Sequence, residues 1–278
     1  MSSMATVLPV SVVIPCFGCA RTIERTVASV AGQSQRPQEV IVVDDASPDD
    51  TAQVLQRLEA TYPAGWVRRI TLRSNLGAAS ARNAGWDVAA GQYVAFLDAD
   101  DAWHPDKLAL QYALMESEPD LVLTGHGFIQ SEKVQANFPP LPAVTCAAIP
   151  RRTVTAWRVL LKNPFITPSI MVKKDAPMRF LPGQRYMEDH LLLMQLALRG
   201  ASMQRIELPL ACIFKSRYGE AGLSSHMGSM HRAELDNLDR LRRDGSLSAL
   251  VYHGLRLYVR LKFFRRLLLV RIQQHAQS

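Results

Sequence analysis

Tyr93-Val94-Ala95-Phe96-Leu97 runs directly into Asp98-Ala99-Asp100-Asp101. The apolar run reads as a strand buried on both faces, and the acids begin where such a strand would end. Two carboxylates one residue apart, on backbone leaving a strand, can face the same small volume. That is a hard-oxygen arrangement suited to Mg²⁺ or Mn²⁺ held together with substrate phosphates. An aspartate cluster after a strand also fits a solvated turn. A second acidic doublet favours the first reading, because Asp44-Asp45 ends another apolar run, Glu39-Val40-Ile41-Val42-Val43. Two carboxylate-tipped strands in an α/β chain predict one shared crevice at the carboxyl edge of a parallel sheet.

Outward from these two strands, the first hundred residues alternate strand and helix. Val10 to Pro15 is a continuous apolar run, and Arg21 to Gly32 reads as a helix with Ile23, Val27 and Val30 on one side. After the Val40–Val43 strand come a Ser47–Asp50 turn, a helix from Thr51 to about Ala60 and a strand around Val67 to Leu72. A helix of small residues then runs from about Ala78 to Ala90 and stops at Gly91. His104-Pro105-Asp106 opens the next helix, with Pro105 in its first turn. Leu121 to Thr124 is a further strand, and Pro139-Pro140-Leu141-Pro142 marks a loop. Repeated βα units predict a mostly parallel, doubly wound, Rossmann-like α/β sheet. No internal repeat or low-complexity linker interrupts it. The division expected is a catalytic domain over residues 1–225 and a basic helical C-terminal extension over 226–278.

With 278 residues, 48% of them hydrophobic, the chain can bury one large core without a disulfide or a metal. The formal charge of +7 suggests nucleic acid until it is located. Arg256, Arg260, Lys262, Arg265, Arg266 and Arg271 follow Val251 with no acid among them, so the globular part is nearly neutral. No Lys/Arg patch interleaved with aromatics occurs there, and no nucleic-acid groove is expected. Cys16, Cys19, Cys146 and Cys212 make no secreted framework, the N-terminus has no basic-then-apolar leader, and no run of about 18 apolar residues occurs. The expected compartment is the reducing cytoplasm.

Several blocks now fall into a familiar order. They are Val12-Val13-Ile14-Pro15-Cys16-Phe17; Val42-Val43-Asp44-Asp45-Ala46-Ser47; Asn75-Leu76-Gly77 with Ala81-Arg82-Asn83-Ala84-Gly85; and Phe96-Leu97-Asp98-Ala99-Asp100-Asp101. Asn163-Pro164-Phe165 with Pro168-Ser169-Ile170-Met171-Val172, and Met187-Glu188-Asp189-His190, complete the series. Over about residues 8 to 225 the chain resembles the inverting family 2 glycosyltransferases of the GT-A fold.

That resemblance implies roles. Pro15, Phe17 and Asp45 would hold the nucleotide base, Phe17 packing on the ring and Asp45 accepting an imide N–H, which suits uracil. Asp44 fits a turn-starting acid equally well. Arg82 would line the nucleotide side of the crevice; the alternative is close helix–sheet packing with Arg82 at the surface. Asp100 would ligate the divalent cation, with Asp98 nearer the ribose or the metal's waters. Asp101 has no required role and is expected to be solvated. Asp189 would be the general base that deprotonates the acceptor hydroxyl, with Glu188 as the neighbouring candidate. Acids in a first helical turn also complement the helix dipole. A helix N-terminus lowers an aspartate pKa, so burial or the acceptor must tune the base. Arg217, after Lys215 and before Ser224 and His226, would meet the diphosphate.

The expected activity is transfer of a sugar from a nucleotide sugar, UDP-linked by preference, to a glycan or lipid-linked saccharide acceptor, as in cell-surface polysaccharide biosynthesis. Two alternatives belong to other classes: a non-catalytic, membrane-associated nucleotide-sugar binder, and a thiol oxidoreductase using Cys16-Phe17-Gly18-Cys19 between a strand and a helix. In the tail, Leu257, Leu261, Phe264 and Leu268 make a helical stripe flanked by basic residues. It reads as a helix lying on an anionic membrane surface, and the resemblance implies the inner face of the cytoplasmic membrane. The competing reading docks it on the domain or on another copy. With the site wholly upstream, a chain cut after about residue 250 is expected to stay folded.

Overall fold

The computed structural model describes residues 7–131, 138–141, 148–214 and 223–275. Its first half is built as expected: β1 (Leu8–Cys16), α1 (Ile23–Ala31), β2 (Pro37–Asp44), α2 (Thr51–Thr61), β3 (Val67–Thr71), α3 (Ala78–Asp87) and β4 (Tyr93–Phe96). Strands β3, β2, β1 and β4 lie side by side and parallel in that order. The chain therefore moves outward from β1 to β3 and returns to the other side of β1 with β4. That reversal between β1 and β4 is the topological switch point, and a crevice forms beyond the carboxyl ends of strands at such a point.

Helix α3 is shorter than its small-residue run. Ala90 N–H donates to Glu39 Oε1 (2.6 Å) and Gly91 N–H to Ser11 Oγ (2.9 Å), so two buried acceptors draw the chain out of the helix toward β4. The small residues serve close packing, as expected. A Cβ on Gly85 would lie 2.5 Å from Val13 Cγ1, so α3 sits directly on β1 and β2.

The second half is mixed. It contains β5 (Ala102–Trp103), α4 (Lys107–Ser117), β6 (Leu121–Ser131), β7 (Arg151–Thr153), α5 (Ala156–Leu161), a 3₁₀ turn at Thr167–Ser169 and β8 (Met171–Lys173). These are followed by α6 (Glu188–Leu198), β9 (Ser202–Phe214), α7 (Leu223–Arg243) and α8 (Ala249–His275). Strand β8 pairs antiparallel with both β4 and β6, and β6 continues the sheet in parallel with β9. That pairing carries β6 well past Thr124, where the sequence pattern stops. Pro105 falls just ahead of α4, whose N-cap is Asp106, a boundary difference of the usual size. Pro139–Leu141 carry no regular structure, and Pro142 lies outside the described residues.

Alternate residues of the central strands feed two cores. Val12, Ile14, Val40 and Val42 pack with α1, α2 and α4; Val13, Ile41 and Val43 pack with α3, α6 and the C-terminal pair. Leu255 and Val259 of α8 are buried in that second core with Leu238 and Leu241 of α7. Asp239 of α7 accepts from Tyr252 Oη (2.8 Å) and pairs with Arg256, while Glu234 pairs with Lys262. The tail is thus docked along one face, and a cut after about residue 250 would strip that face from the core. The predicted apolar stripe lies on the other face: Leu257, Leu261, Phe264 and Leu268 are 59–61% exposed. No helix among the described residues is long and apolar enough to cross a membrane.

Candidate active site

The carboxyl ends of β1, β2 and β4 open into a cavity of about 560 Å³. Pro15, Phe17, Asp45, Arg82, Asp98 and Asp100, six of the residues expected at the site, line it together. Phe17 is 53% exposed, an apolar ring held out at the mouth of the crevice. Asp45 is buried, and its Oδ1 and Oδ2 accept from Leu76 N–H (2.7 Å) and Gly77 N–H (2.8 Å). It therefore fixes the turn into α3 and meets a ligand only through the remaining lone pairs of its carboxylate. Asp44 Oδ1 accepts from Ser47 N–H (2.9 Å), so Asp44 is the turn-starting acid. Between the two functions Ala46 adopts φ 58°, a left-handed conformation that a non-glycine residue reaches only with strain.

Helix α1 fastens the acidic loop after β4. Arg25 Nη2 donates to Asp100 O (2.5 Å), and Thr26 Oγ1 lies 2.9 Å from both Ala99 O and Asp101 O. Asp98 is partly exposed and Asp100 exposed. Asp101, expected in solvent, is instead 3% exposed, with Phe214 N–H directed at its Oδ1 (3.4 Å). The antiparallel pairing of β5 with β9, Ala102 opposite Cys212, brings Phe214 over this loop and covers the third acid. Among the described residues no group of three or more His, Cys, Asp or Glu side chains is arranged to hold a cation. The donor set fits Mg²⁺ or Mn²⁺ nonetheless, since such ions are commonly held by one or two carboxylates plus substrate phosphates. Asp98 Oδ1 accepts from Arg82 Nη2, so Asp98 would meet a cation through Oδ2.

Arg82 is the connection between this crevice and the Glu188-Asp189 pair. It is 4% exposed, not a surface residue, with Nη2 2.7 Å from Asp98 Oδ1 and Nη1 2.9 Å from Glu188 Oε1. Burial acts to discharge its guanidinium, but Asp98 and Glu188 outweigh that and raise its pKa. Burial likewise raises the Glu188 carboxyl, aided by Asp189 and opposed by Arg82. Asp189 Oδ2 accepts from Asn163 Nδ2 (2.8 Å) and its Oδ1 from His190 N–H (2.7 Å). The residue just before the pair, Met187, is the α6 N-cap at φ 58°. Asn237 Nδ2 on α7 holds its carbonyl (3.0 Å), and Gln184 Nε2 holds Asn237 Oδ1 (2.9 Å). A strained residue pinned from another helix fixes where Glu188 and Asp189 emerge.

Asp189 opens onto a second cavity, of about 660 Å³, bounded by α5, α6, α7 and α8. Sequence reasoning did not foresee Asn163, Asn237, Arg25 or Thr26 as supports; only the Asn163-Pro164-Phe165 block was a signal, and no role could be read from it. Lys215, Arg217 and Cys146 lie outside the described residues, as do the side chains of Ser224 and His226. Cys16 and Cys19 are joined by a disulfide on the wall of the first cavity. Both are buried, at 2% and 6% exposure, whereas thiol–disulfide exchange needs an accessible sulfur.

Residues 11–175 match the family model described as glycosyl transferase family 2. The chain is 40% identical over 124 residues to the putative teichuronic acid biosynthesis glycosyltransferase TuaG of Bacillus subtilis, covering 44% of this chain and 48% of that protein. It is 35% identical over 127 residues to the UDP-Glc:alpha-D-GlcNAc-diphosphoundecaprenol beta-1,3-glucosyltransferase WfaP of Escherichia coli, covering 45% and 48%. The matches thus span about half the length of these relatives. Among solved structures, TarS 1-349 of S. aureus in complex with UDP-GlcNAc superposes with TM-score 0.63 at 19% identity, covering 89% of this chain and 70% of that one. The mannosyltransferase PcManGT from Pyrobaculum calidifontis, in complex with GDP-Man and Mn2+, superposes with TM-score 0.65 at 19% identity, covering 90% and 69%. These likenesses establish the GT-A fold.

Proposed function

The chain belongs to glycosyl transferase family 2, and from that premise we propose that it is a metal-dependent, inverting glycosyltransferase. In this reading it moves a sugar from a UDP-linked donor to a glycan or lipid-linked saccharide in cell-surface polysaccharide biosynthesis. Residues 1–225 form the catalytic domain and residues 226–278 the helical extension. The observation that carries the reading is the buried Arg82 bridge, which holds an acid of the donor crevice and an acid beside the second cavity on one guanidinium.

Phe17 and Pro15 receive the base, with Asp45 beside them. Asp98 and Asp100 would hold Mg²⁺ or Mn²⁺, which would neutralise charge on the diphosphate. Arg217 contributes to the same diphosphate. Asp189 takes the proton from the acceptor hydroxyl. That oxygen bonds to the anomeric carbon opposite the departing UDP, the carbon–oxygen bond to phosphate breaks, and the configuration inverts. Asn163 keeps Asp189 oriented for that proton. Glu188, held by Arg82, is a positioning residue. Inversion needs one base for the acceptor hydroxyl, not the two-carboxylate pair of a hydrolase, and Asp189 is that base.

WfaP is named for a diphosphoundecaprenol-linked acceptor, which supports a lipid-linked acceptor for this chain as well. The exposed stripe on α8 supports peripheral binding to anionic lipid at the inner face of the cytoplasmic membrane. The test is a panel of UDP- and GDP-sugars incubated with the full chain and Mn²⁺, reading nucleotide release and the anomeric configuration of the product. Metal-dependent release with an inverted product is expected. No release from any donor, or retention, would overturn the reading.

A further inference from the structure

The two faces of α8 do different things. At 100° per residue, Leu257, Leu261, Phe264 and Leu268 fall within about 60° of one another and face outward. Lys262, Arg265, Arg266 and Leu269 fall on another side and line the 660 Å³ cavity that also contains Asp189. The sequence pattern already puts Arg256, Arg260 and Arg271 on one flank of the stripe and Lys262, Arg265 and Arg266 on the other; the fold shows that the second flank meets this cavity.

Within the cavity the charges are uneven. Lys262 is matched by Glu234, so it adds no net charge there. Arg265 and Arg266 are exposed and form no ion pair among the described residues. The rest of the lining is mixed: Met230, Phe263 and Leu269 are apolar, while Lys162, Asn163, His190 and His231 are polar, and His231 stacks on the Phe263 ring. A pair of guanidinium groups that shares a cavity with apolar side chains suits an anion that carries a hydrocarbon chain. Arginine matches phosphate oxygens in two-point contacts, and a diphosphate offers enough oxygens for both side chains. A volume of this size is typical of sites for small organic ligands.

We propose that this cavity is the acceptor site and that it takes a lipid diphosphate-linked saccharide. The diphosphate rests on Arg265 and Arg266, the first part of the hydrocarbon chain on Met230, Phe263 and Leu269, and the sugar points to Asp189. At 100° per residue Arg265 lies next to Leu261 on the helix surface, so a helix resting its stripe on a bilayer has this cavity on the adjoining flank. The acceptor then need not leave its membrane to reach the base. This inference rests on the glycosyltransferase reading, but its test does not require turnover.

Binding is measured by calorimetry on the full chain, with decyl diphosphate below its micelle-forming concentration as probe. Decyl maltoside and inorganic pyrophosphate are the controls. Decyl diphosphate is expected to bind more tightly than either control. The double variant Arg265→Gln/Arg266→Gln should lose at least about tenfold, since each charged contact is worth that factor or more. UDP binding in the donor crevice should be unchanged, which also shows that the variant is folded. Arg265→Lys/Arg266→Lys should retain most of the affinity, because the charge is kept. Equal affinity of the Gln variant and the parent would overturn the proposal. Pyrophosphate binding as tight as decyl diphosphate would remove the lipid part of it, and decyl maltoside binding as tight would remove the phosphate part. If the donor panel fails while decyl diphosphate binds through the arginines, it is the function that falls and the lipid-diphosphate site that stands.

Discussion

Arg82→Met removes the cation shared by Asp98 and Glu188 and leaves an apolar side chain of similar length in α3. The three side chains are 5%, 34% and 14% exposed, respectively. Removing one partner of a buried ion pair costs about 3–5 kcal/mol, because the other charge is left buried without compensation. Water reaches Asp98 and relieves its share, so the expected loss of stability at neutral pH lies at the lower end, about 3 kcal/mol. Most of it resides on Glu188, whose pKa burial and Asp189 already raise against the pull of Arg82. Without Arg82 that pKa climbs further. A carboxyl whose folded pKa lies above its unfolded value favours folding least at high pH. Its folded state holds a proton that the unfolded state has already released, so stability falls as pH rises through the interval. The deficit therefore opens above the ordinary glutamate range and grows as pH rises. Urea unfolding of both proteins, followed by tryptophan fluorescence, reads the deficit directly. It should be small near about pH 4.5, where unfolded glutamate is itself half protonated, and larger at pH 8. Adding Glu188→Gln should flatten the pH dependence. A deficit under about 1 kcal/mol at pH 8, or one that ignores pH, would refute the reasoning, since the bridge would then behave as a surface pair.

Three further outcomes are expected. Asp100→Asn should weaken Mn²⁺-dependent UDP binding about tenfold or more, the loss of one charged contact, and calorimetry with UDP at fixed Mn²⁺ decides it; equal affinity removes Asp100 from the cation site. Asp189→Asn should cut transfer about 10²–10⁴-fold while UDP-sugar binding persists, measured by steady-state turnover beside donor calorimetry; normal turnover would shift attention to Glu188. The intact chain should sediment with anionic vesicles and come off as salt screens an attraction of about 1 kcal/mol per basic residue near the surface. Replacing Leu261, Phe264 and Leu268 with Ser should release it with every positive charge in place, and sedimentation of that variant equal to the parent would return α8 to a purely packed role.

The sequence by itself determined the parallel half of the fold, because its signals are local. Apolar runs of strand length, helical spacing in Arg21–Gly32 and Thr51–Ala60, and acids at the ends of β2 and β4 each lie within a dozen residues. They also imply the crevice, since acids at the carboxyl ends of parallel strands in one sheet share a single edge. Strands β5, β7 and β8 have two or three residues each, too short to show a period, and the sequence reading places no strand at β9. Those elements exist because neighbours supply their hydrogen bonds. Tertiary structure alone decided the partners of Arg82, one 16 and the other 106 residues away along the chain. It likewise decided the burial of Asp101 under Phe214 and the strained Met187 pinned by Asn237. The stripe on α8 was legible from its spacing, but its neighbours were not. Periodicity says which residues share a helix face, and only the packed fold says what that face meets.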